Sequence, residues 1–578
     1  MDNREIERIL SRIEALLDLH GENSFKSRAY GRAARALRAS GLDVAGMVTR
    51  GEEIQIDGIG SGIAAEIEEM VQTGTCSQLE DLMERTPNGL LDVMSIRGLG
   101  SKKVRALWQE LGIESLDDLE SRARQGEIAK LKGFGAKTEA NILEGVGELK
   151  ANMGKMRLHT ATTLAAELLS RLRELPGVGK VEIAGRLRRG GEEFSALEFV
   201  LEAEDVERVE ESLTDAGILS DYLRKDRTIH GTLEGTYKVF LYLSPPDEFI
   251  VTLHQKSSAS DYRFMVSIPL HDRGYELTDH QLLKEGEPVR LASEEELYER
   301  AGMQYIPPEL REGIDEVRVA LDGELPELVT QEDLQGILHV HSTWSDGRNS
   351  IEELAAQAES LGYHYLLMCD HSKAAFYANG LNESRLEAQG REIDEINKRY
   401  DPEHFRVLKG IECDILADGR LDLADDALAR LDCVVISVHS NFNLSEEAQT
   451  ERVCRALDNP YATILAHPTG RLILTRKGYP INLQQVIAHA AERGKFVELN
   501  ANPYRLDLNW RMIRYAKRKG VRVAIDPDAH GVAEFDYHRY GVTIARKGWL
   551  TKEDVLNGLP LHEFLAAVAQ SREPVGNL

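Results

Sequence analysis

The pattern of apolar and polar positions divides the 578 residues into a helical first part and a longer part in which strands and helices mix. Near the start, apolar residues recur at helical spacing and predict an amphipathic helix: Ile6, Leu10, Ile13, Leu16 and Leu17. From about residue 152, strand-like runs lie between helical stretches at 161–174 and 204–216, which predicts an α+β domain. A smaller α/β segment follows to about residue 315.

The last part of the chain alternates short apolar runs with amphipathic helical stretches such as 350–361. The strand-like runs are 335–338, 365–369, 405–409, 433–438, 462–466, 496–499 and 521–525. Seven strand–helix units of this kind predict a parallel barrel related in layout to the TIM barrel. In such barrels the side chains that carry out chemistry lie at the C-terminal ends of the strands.

Almost every predicted barrel strand ends in a side chain that could bind a metal ion. The first ends in His339 and His341, which should project to the same side because side chains alternate along a strand. The complete set is His339, His341, Asp346, His371, Glu412, His439, His467, Asp528 and His530. A buried structural histidine explains one or two of these positions, but nine imidazole and carboxylate groups at equivalent strand ends favour a metal site. Such mixed ligands suit Mn²⁺, Zn²⁺ or Fe²⁺ better than Mg²⁺.

Three Gly-x-Gly turns lie in the helical first part of the chain. They are Gly58–Gly60, Gly98–Gly100 and Gly133–Gly135, and the segments that follow start with polar or basic residues such as Lys102, Lys103 and Lys137. Glycine permits the tight turn, and the next helix N-terminus offers free N–H groups to a phosphate. One such turn is ordinary, but three in the same context favour binding to the DNA backbone. Arg32 lies in an arginine-rich helical segment whose alternative interpretation is a solvated helix face.

Composition narrows the function classes. A net charge of −27 argues against indiscriminate nucleic-acid binding, so DNA contact must come from local basic patches. No apolar run reaches membrane-spanning length, and the first residues lack the pattern of a signal peptide. The cysteines show no CxxC pairing, which favours reduced, buried thiols: Cys76, Cys369, Cys413, Cys433 and Cys454. We therefore expect a cytoplasmic protein that does not bind membranes.

The strand-end motifs resemble the polymerase-and-histidinol-phosphatase (PHP) family of metal-dependent phosphoesterases over about residues 333–578. The motifs are His-x-His, Asp370-His371, Glu412, Ser-x-His439, Ala-His467-Pro and Asp-Ala-His530. The resemblance implies a distorted (β/α)7 barrel with two or three divalent ions, Mn²⁺ being expected and Zn²⁺ or Fe²⁺ the alternatives. It implies one ion on His339, His341, Glu412 and Asp528, a second on Glu412, His439 and His467, and a third on Asp346, His371 and His530. Arg471 is the candidate for binding a substrate phosphate, with a structural salt bridge as the equal alternative.

The order of the domains resembles a bacterial family X DNA polymerase over nearly the whole chain. Three motifs carry this resemblance: Ala29-Tyr30-x-Arg32-Ala33-Ala34, Ala184-Gly185-x-x-Arg188-Arg189 and Asn502-Pro503-x-Arg505-Leu506-Asp507. It implies a helical DNA-binding domain (1–80), helix-hairpin-helix fingers (81–151), a palm-like nucleotidyltransferase domain (152–246), a thumb-like domain (247–318), a linker (319–332) and a PHP domain (333–578).

The polymerase site departs from the family pattern. Arg186 replaces a serine that helps to bind the nucleotide triphosphate, and Ala196, Glu198 and Val239 occupy the positions of three metal-binding aspartates. Two-metal nucleotidyl transfer needs several carboxylates, so we predict that DNA synthesis is lost or vestigial. The lysine that serves as lyase nucleophile in some relatives aligns with Glu66, which cannot form an imine.

We therefore predict a DNA-repair nuclease built on a polymerase-like fold that no longer synthesises DNA. The first half would hold gapped, nicked or 3′-ended DNA. The PHP domain would act as a Mn²⁺-dependent 3′→5′ exonuclease, an apurinic-site (AP) endonuclease or a 3′-end-processing enzyme, with His339, His341, Glu412, His439, Asp528 and Arg471 as its catalytic residues. We expect a monomer. Three alternatives stay open: a phosphatase for small phosphate monoesters, a DNA-binding scaffold with an idle PHP site, and a residual DNA polymerase.

Overall fold

The computed structural model describes residues 3–40, 42, 44–96 and 98–573. The chain divides into two units, Met1–Met153 and Gly154–Leu578. The helical first part of the sequence makes up the first unit, and the strand-containing parts make up the second. The finer domain limits stay predictions.

The first unit is built of helices around one apolar core. The helices are Asn3–His20, Ser24–Ser40, Val44–Thr49, Ser61–Thr73, Ser77–Glu84, Asn88–Ser95, Ser101–Leu111, Leu116–Arg124 and Ala136–Asn152. The five apolar residues predicted to form one face of the first helix are all fully buried, which confirms that prediction. Three of the helices, beginning at Ser61, Ser101 and Ala136, directly follow the Gly-x-Gly turns.

The second unit begins with a mixed five-stranded sheet, here called the palm sheet. In spatial order its strands are Val181–Ile183, Leu197–Glu202, Tyr237–Ser244, Thr228–Leu233 and Ser220–Lys225. The second and third are parallel and the other neighbours antiparallel. The helices Leu158–Arg173 and Val206–Ala216 occupy the two predicted helical stretches. The hairpin 220–233 escaped prediction because its outer strand has only exposed and half-buried residues and so lacks an apolar run.

A small domain of helices and strands follows the palm sheet. Its helices are Phe249–Lys256, Ser260–Asp272, Glu294–Ala301 and Glu316–Asp322, and its antiparallel strands are Tyr275–Leu277, Leu282–Lys284 and Glu287–Val289. The predicted linker, 319–332, thus begins inside the last of these helices. Val317 and Ala320 explain the difference, because both are buried in the core of this domain.

The remainder of the second unit is a parallel barrel. Its strands are Gly336–Val340, Tyr365–Met368, Arg406–Leu408, Glu412–Asp414, Val435–Ser437, Ile464–Leu465, Phe496–Asn500 and Val523–Asp526. The intervening and following helices are Ile351–Ser360, Glu383–Asn397, Asp425–Leu428, Glu446–Leu457, Leu483–Glu492, Trp510–Arg518, His538–Lys547 and Leu561–Ser571. Local sequence sets these limits: Ser350 and Glu353, for example, form a capping box that starts the first helix.

The seven predicted strands are all present, and the third is split in two. The break falls at Gly410, where an added Cβ would lie only 2.6 Å from the carbonyl oxygen of Met368. The strands therefore form sheets of three and five, joined by parallel bridges from His371 to Glu412 and from Val340 to Ala529. The result is the distorted (β/α)7 barrel expected from the sequence.

Two expectations from composition can be compared with the structure. Within the described ranges, no helix combines the length and apolar character needed to cross a membrane. All five cysteines are free, four of them buried and Cys454 half-buried. The prediction of buried thiols is thus confirmed for four of the five.

Candidate metal centre

Three of the predicted ligands lie at strand ends where the backbone is left-handed. The φ angle is +54° at His339, +26° at His467 and +50° at Asp528, a region that non-glycine residues rarely occupy. Regular alternation is therefore not what brings His339 and His341 together. The pairing register of their strand shifts around His339, and the two rings lie with centroids 5.2 Å apart. Such strain persists only where the surrounding structure holds it, as it often does at functional sites.

Glu412 lies at the centre of the predicted ligands and is almost fully buried. Its carboxylate oxygens are 2.8 Å from His371 Nδ1, 3.3 Å from His439 Nε2 and 2.9 Å from His467 Nε2. His339 Nε2 is 3.5 Å away. One carboxylate therefore contacts imidazoles from four strand ends and is placed to bridge two cations.

The two predicted aspartate ligands contact further imidazoles of the cluster. Asp528 Oδ1 is 3.2 Å from His341 Nε2. Asp346 Oδ1 is 3.6 Å from His371 Nε2 and 3.5 Å from His530 Nε2. All nine predicted ligands thus converge at the C-terminal ends of the barrel strands.

The convergent atoms form overlapping groups, in each of which the ligand atoms lie within 4.8 Å of one another. Four groups consist of predicted ligands: His341–Asp346–His371–His530, His339–His341–Asp528, His339–Glu412–His467 and His371–Glu412–His439. The group expected for the third ion is present with His341 added. The groups expected for the first two ions are not found in that form. Glu412 groups with His339 and His467, and separately with His371 and His439, because its Oε2 faces both His371 and His339.

Burial and charge both suit this cluster to cations. His339 Nε2 and both ring nitrogens of His341 are buried without a hydrogen-bond partner among the described residues. Burial and neighbouring imidazoles lower the pKa of His341 to about 3, so its ring is neutral and offers a lone pair. Burial alone would raise the pKa of Glu412, but His439 and other imidazoles outweigh it and hold that pKa well below its usual range. Burial would lower the pKa of His439, but Glu412 and Asp414 outweigh it and raise that pKa to about 10. An ionised carboxylate among imidazoles whose protons a metal ion can replace is the donor set of a divalent cation.

Two polar side chains that the sequence analysis missed lie beneath the ligands. Glu498 accepts a hydrogen bond from His339 Nδ1 and another, at 2.5 Å, from the backbone N–H of His467. Asn500 Nδ2 donates to Asp528 Oδ2 at 3.0 Å. Because the Nδ1 proton of His339 is held by Glu498, its Nε2 is left for a metal. The available signal was a carboxylate and an amide at alternate positions of the otherwise apolar strand Phe496–Asn500.

Arg471, the predicted phosphate ligand, is occupied by contacts within the protein. Its guanidinium donates to the carbonyl oxygens of Arg505 and Leu506 and forms a 2.9 Å ion pair with Glu192, next to the palm sheet. These contacts correspond to the structural salt bridge weighed as the alternative. Arg505 is the better placed cation, because its Nε lies 3.3 Å from Asp528 Oδ2.

The predicted polymerase positions lie on or beside the palm sheet without an acidic cluster. Val239 is fully buried, Ala196 is half-buried and Arg186 is exposed. Glu198 is half-buried and accepts a 2.9 Å hydrogen bond from the Tyr242 hydroxyl. Across the described residues, every group of three or more potential ligand atoms within 4.8 Å of one another lies in the barrel.

A second buried charge cluster joins the palm sheet region to the small domain. Glu294 lies 2.5 Å from Arg188 Nη2 and 2.6 Å from Arg311 Nη1. Burial would raise the pKa of Glu294, but the two guanidinium groups outweigh it and lower that pKa to about 2. Arg188 also donates to Ser257 Oγ at 3.1 Å. Each charged group here thus has a partner of opposite sign within the protein.

The three Gly-x-Gly turns of the first unit share one backbone conformation. The φ angle is +96° at Gly58, +87° at Gly98 and +89° at Gly133, which glycine adopts readily. The second glycine of each turn caps the next helix, and a Cβ added there would meet no described atom within 4 Å: Gly60, Gly100 and Gly135. This open space lets a ligand approach the N–H groups of the helix end.

The basic residues near these turns differ in whether they are exposed to solvent or bonded to the turn itself. Lys102, Lys137 and Arg32 are exposed. Lys103 instead donates to the carbonyl oxygen of Gly98 at 3.0 Å, so it supports the turn itself.

Comparison with known proteins matches several parts of the chain. A helix-hairpin-helix domain matches residues 1–76, a SAM-like helix-hairpin-helix tandem 90–148, the DNA polymerase beta thumb 266–312 and the PHP domain 338–502. The "DNA polymerase/3'-5' exonuclease PolX" of Bacillus subtilis (strain 168) is 36% identical over 571 residues, which cover 98% of this chain and 99% of that protein. The chain belongs to the PolX family.

Other relatives of this PolX-family chain match the barrel. A "Probable phosphatase" of Thermoanaerobacter sp. (strain X514) is 30% identical over 234 residues, covering 38% of this chain and 88% of that protein. A "Probable phosphatase" of Caldanaerobacter subterraneus subsp. tengcongensis is 35% identical over 147 residues, covering 23% and 56%. The barrel is thus a PHP domain, a metal-dependent hydrolase-type domain, and both resemblances seen in the sequence are confirmed. The helix-hairpin-helix and thumb matches indicate DNA binding.

Proposed function

We propose that the PHP barrel hydrolyses phosphodiester bonds of DNA during repair, as a 3′→5′ exonuclease with AP-endonuclease or 3′-end-processing activity at the same site. The observation that carries this proposal is a nine-residue ligand cluster in a chain that also has three helix-hairpin-helix turns. The name of the Bacillus subtilis relative, which includes a 3′→5′ exonuclease, supports the direction of cleavage.

The chain's own residues would bind and orient the phosphate. Divalent cations, Mn²⁺ first and Zn²⁺ or Fe²⁺ as alternatives, would supply Lewis acidity and lower the pKa of an attacking water. Glu412 and Asp528 would hold these cations together with the surrounding imidazoles, and Glu498 would keep His339 in the tautomer that binds metal. Arg505, beside Asp528, would place a positive charge next to the bound phosphate.

The first unit would hold DNA by its backbone. The open second glycines of the turns, with the exposed Lys102, Lys137 and Arg32, offer N–H groups and positive charge without base contacts. Binding of this kind is independent of sequence and suits a protein that acts on gapped, nicked or 3′-ended DNA.

We also propose that the polymerase activity is lost. Of the three metal-binding positions, Val239 is buried and apolar and Ala196 has no donor, so Glu198 is left alone, paired with Tyr242. Two metal ions need several carboxylates between them.

The test is a 5′-labelled primer–template incubated with Mn²⁺, with and without the four dNTPs. The wild type should shorten the primer stepwise and never extend it. His339→Ala should abolish shortening, and Glu198→Ala should leave it unchanged. Extension that survives His339→Ala but not Glu198→Ala would mean that the palm is an active polymerase.

A second candidate is a phosphatase for small monoesters, favoured by the barrel's match to probable phosphatases. A nucleoside monophosphate and a 3′-recessed duplex, supplied at equal concentration, separate the two functions. Preference for the monophosphate by kcat/KM would replace the nuclease proposal.

A further inference from the structure

The loop after the second barrel strand exposes two aromatic side chains beside the metal cluster. We call residues 372–381 the aromatic loop. Phe376 is 85% exposed and Tyr377 65% exposed, although both are large rings. Single exposed apolar side chains are common on protein surfaces, so exposure alone does not indicate a binding site. Two adjacent rings next to a metal cluster need a further explanation.

The backbone of the aromatic loop is firmly held. Asn379 Nδ2 donates to the carbonyl oxygen of Trp344 at 3.2 Å, and Arg385 Nη1 donates to the carbonyl oxygen of Asn379 at 2.6 Å. Ala375 and Ala378, on either side of the two aromatic residues, are buried. The exposed rings are therefore presented by a fixed backbone and do not belong to a loosely packed segment.

Tight packing at the end of the loop supports the same conclusion. A Cβ added to Gly380 would lie 1.9 Å from the carbonyl oxygen of Ser372. At the start of the loop, the backbone N–H of Ala374 donates to Asp422 Oδ2 at 2.7 Å. Both ends of the loop thus pack closely against the barrel, while the rings of Phe376 and Tyr377 in its middle are exposed to solvent.

The two rings form a corner next to a ligand of the cluster. The Tyr377 ring centroid lies 6.3 Å from that of His371, and the Phe376 centroid lies 6.3 Å from that of Tyr377 at an interplanar angle of 75°. A planar group that stacks on one ring would meet the other at its edge. The corner is therefore suited to one flat, apolar-faced group attached to a phosphate that reaches the cluster.

We propose that Phe376 and Tyr377 stack on the base of the terminal nucleotide of an unpaired strand whose phosphate is held at the metal cluster. This inference rests on the proposed hydrolysis of DNA and names its substrate more closely. Aromatic side chains bind bases of single strands by stacking, whatever the base. A base inside a duplex has both faces covered, so the corner selects frayed, mismatched or single-stranded ends.

The test compares two single-stranded oligonucleotides that differ in their last residue, one with a normal nucleotide and one with an abasic analogue. The wild type should cleave the base-bearing end with a kcat/KM about tenfold higher or more, mainly through KM. Phe376→Ala/Tyr377→Ala should cleave both ends at the abasic rate. Both side chains are exposed, so the double variant should fold and keep its bound metal.

Leu361→Ala is the matched control. Leu361 is also an exposed apolar residue of the barrel, at 53%, but it follows a helix that leads to the start of the second strand, the opposite end from the cluster. This variant should keep the wild-type preference for the base-bearing end. Equal cleavage of both ends by the wild type, or a preference that survives in the double variant, would overturn the inference while leaving DNA hydrolysis in place.

A binding measurement separates this inference from the proposed function. A terminal 2-aminopurine in the same oligonucleotide should lose fluorescence on the wild type and keep it on the double variant, under identical metal conditions. If the wild type cleaves neither oligonucleotide, the nuclease proposal fails and this measurement alone decides the inference. Equal fluorescence on both proteins would overturn it.

Discussion

Two buried charge clusters lie in the second unit, and they differ in how their charges are satisfied. Near the palm sheet, the carboxylate of Glu294 pairs with the guanidinium groups of Arg188 and Arg311, so each of these charged groups has a partner of opposite sign within the protein. In the barrel, carboxylates and imidazoles face one another, and the ring nitrogens of His341 have no hydrogen-bond partner among the described residues. The first arrangement satisfies its charges without a bound ion, whereas the second is suited to bind cations.

The difference between the two regions shows that a fold and a site can be built from separate residues. The palm sheet is held by buried apolar residues such as Val239 and Leu241, so its fold does not depend on carboxylates at the predicted polymerase positions. The nine clustered side chains of the barrel are predicted to serve as donors for cations, so their replacement should remove metal binding before it removes the fold.

The largest expected effect distinguishes the two clusters by their glutamates. Glu412→Gln should lower DNA hydrolysis by more than about hundredfold, because it removes the charge shared by the four surrounding imidazoles. Elemental analysis of the purified protein should show metal loss. Glu294→Gln should leave both hydrolysis and metal content unchanged. A Glu412→Gln protein that keeps its metal and its activity would contradict the assignment of the centre.

The contribution of the Glu294 cluster to stability should depend on pH. The pKa of Glu294 is lowered from 4.5 to about 2 in the folded protein, so its ionised form contributes about 3 kcal/mol to the free energy of unfolding at neutral pH. The contribution is fully present above pH 4.5 and is lost as the pH falls from there towards 2.

Urea unfolding of the wild type and Glu294→Gln measures this contribution. The difference between the two proteins should shrink by about 1.4 kcal/mol between pH 7 and pH 3.5. A difference that stays constant with pH would show that the glutamine affects packing and not charge.

A smaller effect is expected from the layer beneath the ligands. Glu498→Gln should reduce metal affinity or hydrolysis about 10- to 100-fold, because the amide no longer fixes the proton of His339 as an ionised carboxylate does. Isothermal titration calorimetry with Mn²⁺ measures the metal affinity. The exposed Glu492, on the preceding helix, provides the control substitution Glu492→Gln, which should leave affinity unchanged.

The smallest effect concerns Arg471. If it is a structural salt bridge, Glu192→Gln and Arg471→Ala should both lower stability, the first by about 1 kcal/mol, and change kcat/KM by less than about twofold. Thermal melting and primer degradation measure the two quantities. A large loss of kcat/KM in Arg471→Ala alone would restore it as a phosphate ligand.

Much of the barrel was predictable because its signals are local. Apolar runs of four to six residues, most of them followed closely by His, Asp or Glu, predicted both the strands and the ligand positions, since parallel barrels bring their strand ends together at one end. The proposed loss of the palm carboxylates rests on a local signal too, because an apolar residue such as Val239 can be recognised without a structure.

The features that could not be predicted from the sequence depend on contacts between residues far apart in the chain. Glu498 and His339 are 159 positions apart and meet only once the barrel closes. The ion pair of Arg471 requires Glu192, from a different domain. The split third strand depends on Gly410, whose backbone packs against Met368, and no local pattern marks such a contact.

The left-handed residues at the ends of three barrel strands set a condition for anyone who would rebuild this centre elsewhere. His339, His467 and Asp528 aim their side chains from backbone positions that a regular strand does not provide. Transplanting the nine side chains onto an ideal barrel would therefore reproduce the chemical formula of the centre but not its shape. A design would also have to include the left-handed backbone at these three positions, together with the packing that holds it.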